Sequence, residues 1–341
     1  NALFAQNFTT ATSSYNIAIG RDAGAEITTG VRNVVVGSLA ADNLEAGGDN
    51  AVLGDNALGS DTVGSRSTAI GQGALFAQNF TTATNTNNAA VGYNAGAAVT
   101  TATNNTLVGS LSGDAVTTGD NNTFMGFNSG GVNTTGDTNS AFGKDALKAC
   151  TSGTNHTGIG HNALGAATTG NSNTAVGDQA GSTVTTGDNN LLLGTSAGTS
   201  SSPSHIVTVD NRIVLGNNSI THASIKVDWT VTSDQRDKTD ITNFTHGLDY
   251  VNKLRPVNYV WDERSNYEDG IPDGSKKKSE VQLGFLAQEV QAIETGLGID
   301  NNAIVDTEFP DSLKMTNAKL IPVLVNAIQE LSAKVAALEA K

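Results

Sequence analysis

Through the first two-thirds of the chain the apolar residues come as short clusters, such as Val35-Val36 and Leu192-Leu193, each closed by a glycine. Every cluster sits in a motif of the form Asn-x-small-aliphatic-Gly. The motif ends at Gly20, Gly37, Gly54, Gly71, Gly92, Gly109, Gly126, Gly143, Gly160, Gly177 and Gly194. Nine of the ten intervals are 17 residues, and the interval from Gly71 to Gly92 is 21. The four extra residues fall near Leu75-Phe76-Ala77-Gln78, and the stretch Leu75 to Thr84 repeats Leu3 to Thr12 letter for letter. The chain therefore opens inside a coil of the longer type, as expected of a fragment of a longer repetitive protein.

Two further columns run in phase with the glycines. Four residues before the Gly stands Asn, at Asn16, Asn33, Asn50, Asn88, Asn105, Asn122, Asn139, Asn173 and Asn190, broken only by Ser67 and His156. Three residues after it stands Ala, with Ser112 and Ser129 as exceptions. A second Gly, often after Thr-Thr, follows ten residues after the first in eight of the nine regular coils. Such a period predicts two short strands and two tight turns per coil, the glycines supplying turn conformations that other residues resist. Coils stacked about 4.8 Å apart put like residue on like residue. The Asn column is then expected to form an amide ladder, and the Ala column to keep the interior narrow. The Gly, Thr and Asn content and the lack of a 3.6-residue apolar period exclude helix. The phased aliphatic pairs argue against disorder. The expected fold of residues 1–200 is a parallel β-roll or β-solenoid, stabilised by stacking and by partner chains.

The pattern changes after residue 200. Residues 201–232 lose the strict period. Arg212-Ile213-Val214-Leu215-Gly216 is a last repeat-like strand, and Ile220 to Val231 alternates as extended structure would, so this stretch reads as a β-rich neck. Residues 233–341 read as an α+β domain. Near its end Ile321, Leu324, Ile328, Leu331, Val335 and Leu338 are spaced 3, 4, 3, 4 and 3, an a/d seam that predicts a three-stranded coiled coil. Glu330, Lys334 and Glu339 fall outside the seam.

Composition sharpens the division. All five prolines and both tryptophans lie after residue 200, whereas 31 of the 38 glycines lie before it. The formal net charge of −14 excludes a phosphate-tracking nucleic-acid binder, which needs a basic face. Lys276-Lys277-Lys278, flanked by Asp273 and Glu280, reads as a solvated loop. No apolar run is expected to reach the length of a membrane span. A single cysteine, Cys150, excludes an intrachain disulfide and reads as a small filler. Asp-rich turns such as Asp188-Asn189-Asn190 lack the Gly-Gly-x-Gly-x-Asp pattern of calcium β-rolls, and no nucleotide-binding glycine motif is present. No metal and no cofactor are expected. A polysaccharide depolymerase needs a carboxylate pair in a groove, and the acidic residues Asp22, Glu26, Asp42, Glu45, Asp55 and Asp61 are sparse and lie at turns.

Two resemblances emerge from these residues. Asn173-Thr174-Ala175-Val176-Gly177 followed by Ala180 is similar to head repeats of trimeric autotransporter adhesins, left-handed parallel β-rolls that stand three side by side. Similar repeats occur in phage tail fibres. From Ser233 onward the chain resembles the C-terminal intramolecular chaperone of phage tailspikes and fibres, the S74 peptidase family best known from endosialidase tailspikes. The matching segments are Ser233-Asp234-Gln235-Arg236-Asp237-Lys238, then Leu254-Arg255-Pro256-Val257-Asn258-Tyr259-Val260-Trp261, then Gly284-Phe285-Leu286-Ala287-Gln288-Glu289-Val290, then the apolar C-terminal helix. Asp237 departs from the usual apolar residue of its position.

The second resemblance implies that Ser233 is a nucleophile, that Lys238 is its partner, and that the chain cuts itself between Thr232 and Ser233. The chemistry is sound in itself: a serine hydroxyl is a poor nucleophile until a base takes its proton. Lysine can do so only when neutral, through desolvation or nearby positive charge, for which Arg236 is a candidate. Asp234 belongs to the same polar turn that must bring Ser233 and Lys238 together. Attack of the hydroxyl on its own preceding carbonyl and direct activation of water both remain open. The five histidines (His156, His161, His205, His222, His246) are scattered, so a Ser-His-Asp triad is not expected. The reading is a homotrimeric phage tail fibre or tailspike whose chaperone sets register and then releases itself. It would be assembled in the bacterial cytoplasm and carried on the virion, joined to further fibre before residue 1, and directed at a host surface receptor such as a polysaccharide. A bacterial surface adhesin or an injection-system fibre could use the same parts. Neither nucleic acid nor membrane is an expected partner.

Overall fold

Each repeat places one three-residue strand at its aliphatic cluster, and the middle residue of the strand points inward, as the two-residue side-chain period requires. Val35, Val52, Ala69, Leu107, Phe124 and Leu192 occupy that position and are buried. The computed structural model describes residues 2–7, 13–299 and 303–341, which divide into two units, Asn1–Ser224 and Ile225–Lys341. In the first, twelve strands from Ile17–Ile19 to Ile213–Leu215 form one parallel sheet, in chain order throughout. Register is strict: Ser140 pairs with Thr157, Thr157 with Thr174 and Thr174 with Leu191. The region is a parallel β-solenoid with a 17-residue period.

Most coils have one strand, where the sequence suggested two; among the described residues a second, two-residue strand forms only at Gly64–Ser65 and Thr84–Asn85, which pair in parallel beside the longer coil. The rest of the coil is turn, because several residues per coil adopt a left-handed backbone. In one coil these are Asn121, Asn128 and Gly130, with Gly126 also at positive φ. Asn tolerates this region through local hydrogen bonds. Leu58, Leu75, Leu147 and Leu164 adopt it too, and all four are fully buried. Burying a leucine gains about 1.5–3 kcal/mol, enough to offset the strain. Beside these leucines the strands carry small residues, Val52, Ala69, Ala141 and Gly158. Where the turn has Gly113, Gly130 or Gly198 instead, Leu107, Phe124 and Leu192 fill the space. At Gly96 and Gly181, where the strand residues Ala90 and Ala175 are small as well, Leu75 and Leu107, and Leu164 and Leu192, reach in from the coils on either side. The Ala column, Ala40, Ala57 and Ala74 among them, is buried as expected.

The Asn column is bonded mainly to backbone. Asn122 Nδ2 donates to Gly136 O at 2.9 Å, and its Oδ1 accepts from Asn139 N at 2.9 Å. Asn105 and Asn139 repeat the arrangement. Direct amide-to-amide bonds occur only between Asn33 and Asn50 and between Asn173 and Asn190 among the described residues of the column. The expected ladder is therefore mostly one of side chain to main chain. His156 substitutes by accepting from Asn173 N through Nδ1 at 3.2 Å. At Ser67 the longer coil provides the compensation. Gln78, in its extra segment, donates to Asp61 Oδ2 at 2.6 Å and Ser67 Oγ at 2.8 Å, and accepts from Asn88 Nδ2 at 2.9 Å. All four residues are buried.

The second unit holds helix α1 (Leu248–Val251), helix α2 (Ala287–Gly296) and helix α3 (Leu320–Glu339). Strand Val257–Val260 pairs antiparallel with Val281–Gly284, and Val305–Asp306 with Lys314–Met315. Its core is small: Tyr250, Val290, Ile304, Val305, Leu320 and Val323. The segment 220–231, expected to be extended, forms no strand. Its alternating residues Ile225, Val227, Trp229 and Val231 are exposed, and a strand without a neighbour has no ladder to join.

Candidate functional site

The polar run after Ser233 folds as a single 3-10 turn, Gln235–Asp237. Asp234 starts it in an extended conformation and accepts from Arg236 N at 2.9 Å, the N-cap arrangement favoured by a short carboxylate. Lys238 leaves the turn extended. That reversal carries its side chain back over Ser233, where Nζ donates to Ser233 Oγ at 2.7 Å and to Ser233 O at 3.2 Å. Among the described residues no histidine bonds Ser233; its side-chain partner is Lys238.

Arg236 turns to the other side. Its guanidinium grips the Asp234 carboxylate, with Nη2 to Oδ2 at 2.6 Å and Nε to Oδ1 at 3.1 Å. This bond holds Asp234 below the usual carboxylate range and pushes Arg236 up. Its positive charge is thus compensated by Asp234 before it can act on Lys238. Thr232, Ser233 and Lys238 are all exposed. The single chain therefore supplies the geometry of a serine–lysine pair and leaves it in water.

The other segments singled out in the sequence assemble together. The strand Val257–Val260 and its partner Val281–Gly284 form a hairpin that runs into α2, and Arg255 Nε donates to Glu289 Oε2 at 3.1 Å across it. Tyr259 and Trp261 stack edge to face with centroids 5.4 Å apart. Lys276 and Lys278 are tied down, Lys278 Nζ to Glu263 Oε1 at 2.9 Å and Lys276 N to Tyr267 Oη at 2.9 Å.

Helix α3 has two apolar faces. Leu320, Val323 and Ala327 pack into the unit's own core. Ile321, Leu324, Ile328, Leu331, Val335 and Leu338, the expected seam, all face solvent, Ile328 and Leu338 being 66% and 69% exposed. Because both faces are apolar, the helical stretch Asn317–Glu339 is long and apolar enough to cross a membrane by length and composition. The expectation that no segment would reach that length needs this correction. The helix is nevertheless fastened to its own unit. Glu330 reaches across and accepts from Leu248 N at 3.0 Å, capping α1 from outside. Gly247 permits the approach, since a Cβ there would lie 2.8 Å from Ala327 N.

Sequence reasoning missed two buried acidic side chains: Asp61, read only as a turn residue, is sealed against Gln78, and Glu294 is buried in the second unit. Glu294 of α2 accepts from Ile304 N at 2.8 Å and Val305 N at 3.3 Å. Burial, with the Glu294 charge nearby, pushes the Tyr250 hydroxyl up to about 12. Glu294 lies on an otherwise ordinary helix, and its partners are backbone groups that carry no sequence signal.

A family model described as chaperone of endosialidase, Peptidase S74, matches residues 233–299 and so begins at the serine of the turn. No curated protein and no solved structure matches the chain. Behind a parallel β-solenoid, the chain thus carries an intramolecular chaperone domain of the endosialidase type, a kind that cleaves itself and assists the assembly of trimeric fibre proteins.

Proposed function

We propose that this chain is a segment of a phage tail fibre or tailspike. Its C-terminal unit gathers three copies, sets their register, and then cuts itself off between Thr232 and Ser233. Register is the central difficulty of such a fold, because a slip of one whole coil preserves almost every contact. A terminal trimerisation element turns the meeting of three chains into a local event. The seam Ile321, Leu324, Ile328, Leu331, Val335 and Leu338 is the surface offered for it, exposed on the single chain at a/d spacing. Release of the helper afterward leaves a fibre that is kinetically hard to unfold.

The observation that carries the reading is the 2.7 Å contact between Lys238 Nζ and Ser233 Oγ at the first residue of the family match. In the cut, neutral Lys238 takes the Oγ proton and Oγ attacks the Thr232 carbonyl carbon. The carbon–nitrogen bond breaks, the Ser233 nitrogen leaves as an amine after accepting a proton, and an ester joins Thr232 to Ser233 Oγ. Water then opens the ester, restoring the hydroxyl and freeing the Thr232 carboxylate. In the variant route, water activated by the same pair attacks the carbonyl directly. Either way Lys238 must leave water, which assembly accomplishes by covering the exposed turn. The virion fibre and a host surface receptor follow from this reading.

The test is purified wild-type chain beside Ser233→Ala and Lys238→Ala, analysed by intact mass. Wild type should yield fragments 1–232 and 233–341, and both variants should assemble and stay whole. A new N-terminus elsewhere than Ser233, or efficient cutting of Ser233→Ala, would overturn the assignment.

A further inference from the structure

Three departures from the repeat meet at one point inside the solenoid. Seven residues after the motif glycine the interior is aliphatic at Ile27, Leu44, Val99 and Val116, all fully buried. The two coils between them carry Asp61 and Gln78 at that position. The Asn column breaks beside them, where Ser67 puts a hydroxyl in place of an amide. Burying a carboxylate costs free energy that an aliphatic side chain in the same place does not, so filling space does not account for Asp61. These side chains bond one another. Gln78 Nε2 donates to Asp61 Oδ2 at 2.6 Å and to Ser67 Oγ at 2.8 Å, and Gln78 Oε1 accepts from Asn88 Nδ2 at 2.9 Å. Thr86 spends its one hydroxyl proton on Ser65 O at 3.1 Å, so in the 2.7 Å contact of Ser67 Oγ with Thr86 Oγ1 the serine is the donor. Asp61, Ser67, Gln78, Thr86 and Asn88 are each no more than 1% exposed.

We infer that this cluster closes an ester cross-link between the side chains of Ser67 and Gln78, an activity separate from the cut at Ser233. Every part that acyl transfer to a hydroxyl requires is in place. Ser67 Oγ is the nucleophile, held with its lone pair against the Gln78 amide. Asn88 Nδ2 polarises the Gln78 carbonyl and is positioned to stabilise the oxyanion that forms on Oε1. Asp61 grips the nitrogen that must leave, and burial keeps its carboxyl above the usual carboxylate range, which suits a group that takes up and returns a proton. In the step, the hydroxyl turns from the edge of the amide to its face and Oγ bonds to Gln78 Cδ. The Oγ proton passes through Asp61 to Nε2, the Cδ–Nε2 bond breaks, and the carbonyl re-forms as ammonia departs. A hydroxyl and an amide become an ester and ammonia, with no oxidant, reductant or further reactant. The same burial that excludes water from the amide protects the ester from hydrolysis. The product ties the residue just before strand Thr68–Ile70 to the longer coil that follows. Those two coils then cannot peel apart without breaking a covalent bond, which adds to the kinetic durability of the stack.

The experiment is the intact mass of the full chain, or of fragment 1–232 where the chain has cut, followed by peptide mapping. Wild type should be lighter than its sequence by one ammonia. Chymotryptic cleavage at Phe76, which lies between the two residues, should leave the Ser67 and Gln78 peptides joined, and alkaline hydroxylamine should separate them. Ser67→Ala removes only the hydroxyl and should keep the full mass. Asp61→Asn keeps the shape and gives up the proton shuttle, so it should gain the cross-link at least about tenfold more slowly. Cyclisation of an asparagine also expels ammonia, but within a single peptide and equally in Ser67→Ala. That result, or a folded wild-type chain of full mass, would overturn the inference, and a junction mapped to Thr86 would overturn the choice of nucleophile.

Discussion

In the solenoid, Asn122 places both ends of its amide on neighbouring backbone, and Phe124 and Leu192 are sealed inside. In the C-terminal unit, Leu331 and Leu338 stand in water, and the serine–lysine pair proposed to make the cut lies on an exposed turn. One region satisfies itself coil by coil, each coil depending on the next. The other is built around a small core and leaves its longest apolar stripe without a partner. Under the proposed function the contrast is a division of labour: a stacked part that remains, and a part that sets three copies in register and is then cut away.

The comparison predicts that lesions in the solenoid act on stability through single coils. The largest effect is expected from Gly126→Ala. Gly126 has φ +146°, and a Cβ there would press into the Gly143 carbonyl of the next coil, so thermal unfolding should show a loss of ~4 kcal/mol or more. Gln78→Ala comes next. It strips Asp61, Ser67 and Asn88 of buried partners at once and should cost ~3 kcal/mol in urea unfolding. Both changes should leave the mass of any cut product's new N-terminus at Ser233.

The smallest effect is one of pH. Burial holds the His156 imidazole below the ordinary histidine value of 6.5, with Asp188 and the backbone of Gly170 and Asn173 opposing. The folded chain keeps it neutral where the unfolded chain takes up a proton. Its contribution is therefore complete above about pH 6.5 and is lost as the pH falls from there toward the lowered folded value. His156→Asn, which restores the column, should flatten that slope and shift stability at pH 7.5 by no more than ~1 kcal/mol. Unfolding curves at pH 7.5 and pH 5 for the two chains provide the check.

Much of the solenoid was legible because a repeat displays its own constraints. A residue that must be Asn or Gly at every seventeenth position shows itself by recurring. The conformation of the turns was not legible: the position of Leu58 and Leu147 is left-handed in every coil, at Gly113 and Gly130 as at the leucines, but because Leu, Ala and Gly alternate there no single recurring residue announces it. The role of Gln78 did leave a trace, since the break at Ser67 in the Asn column comes one coil before the four-residue insertion. The alternation of 220–231 suggested a strand, but a strand also requires a neighbour, which alternation does not specify. In the C-terminal unit the local turn joining Ser233 to Lys238 was foreseeable from their spacing. The capping of α1 by Glu330 was not, because 82 residues separate the partners.

The claim that most needs testing is that the exposed serine–lysine pair works only once copies have assembled. Intact mass and sedimentation should be measured on the wild-type chain and on Leu331→Asp, which puts a charge into the open stripe of α3 without touching the turn. The account predicts a wild-type trimer cut between Thr232 and Ser233, and a Leu331→Asp chain that stays monomeric and whole. A monomeric Leu331→Asp chain cut at the wild-type rate would contradict it.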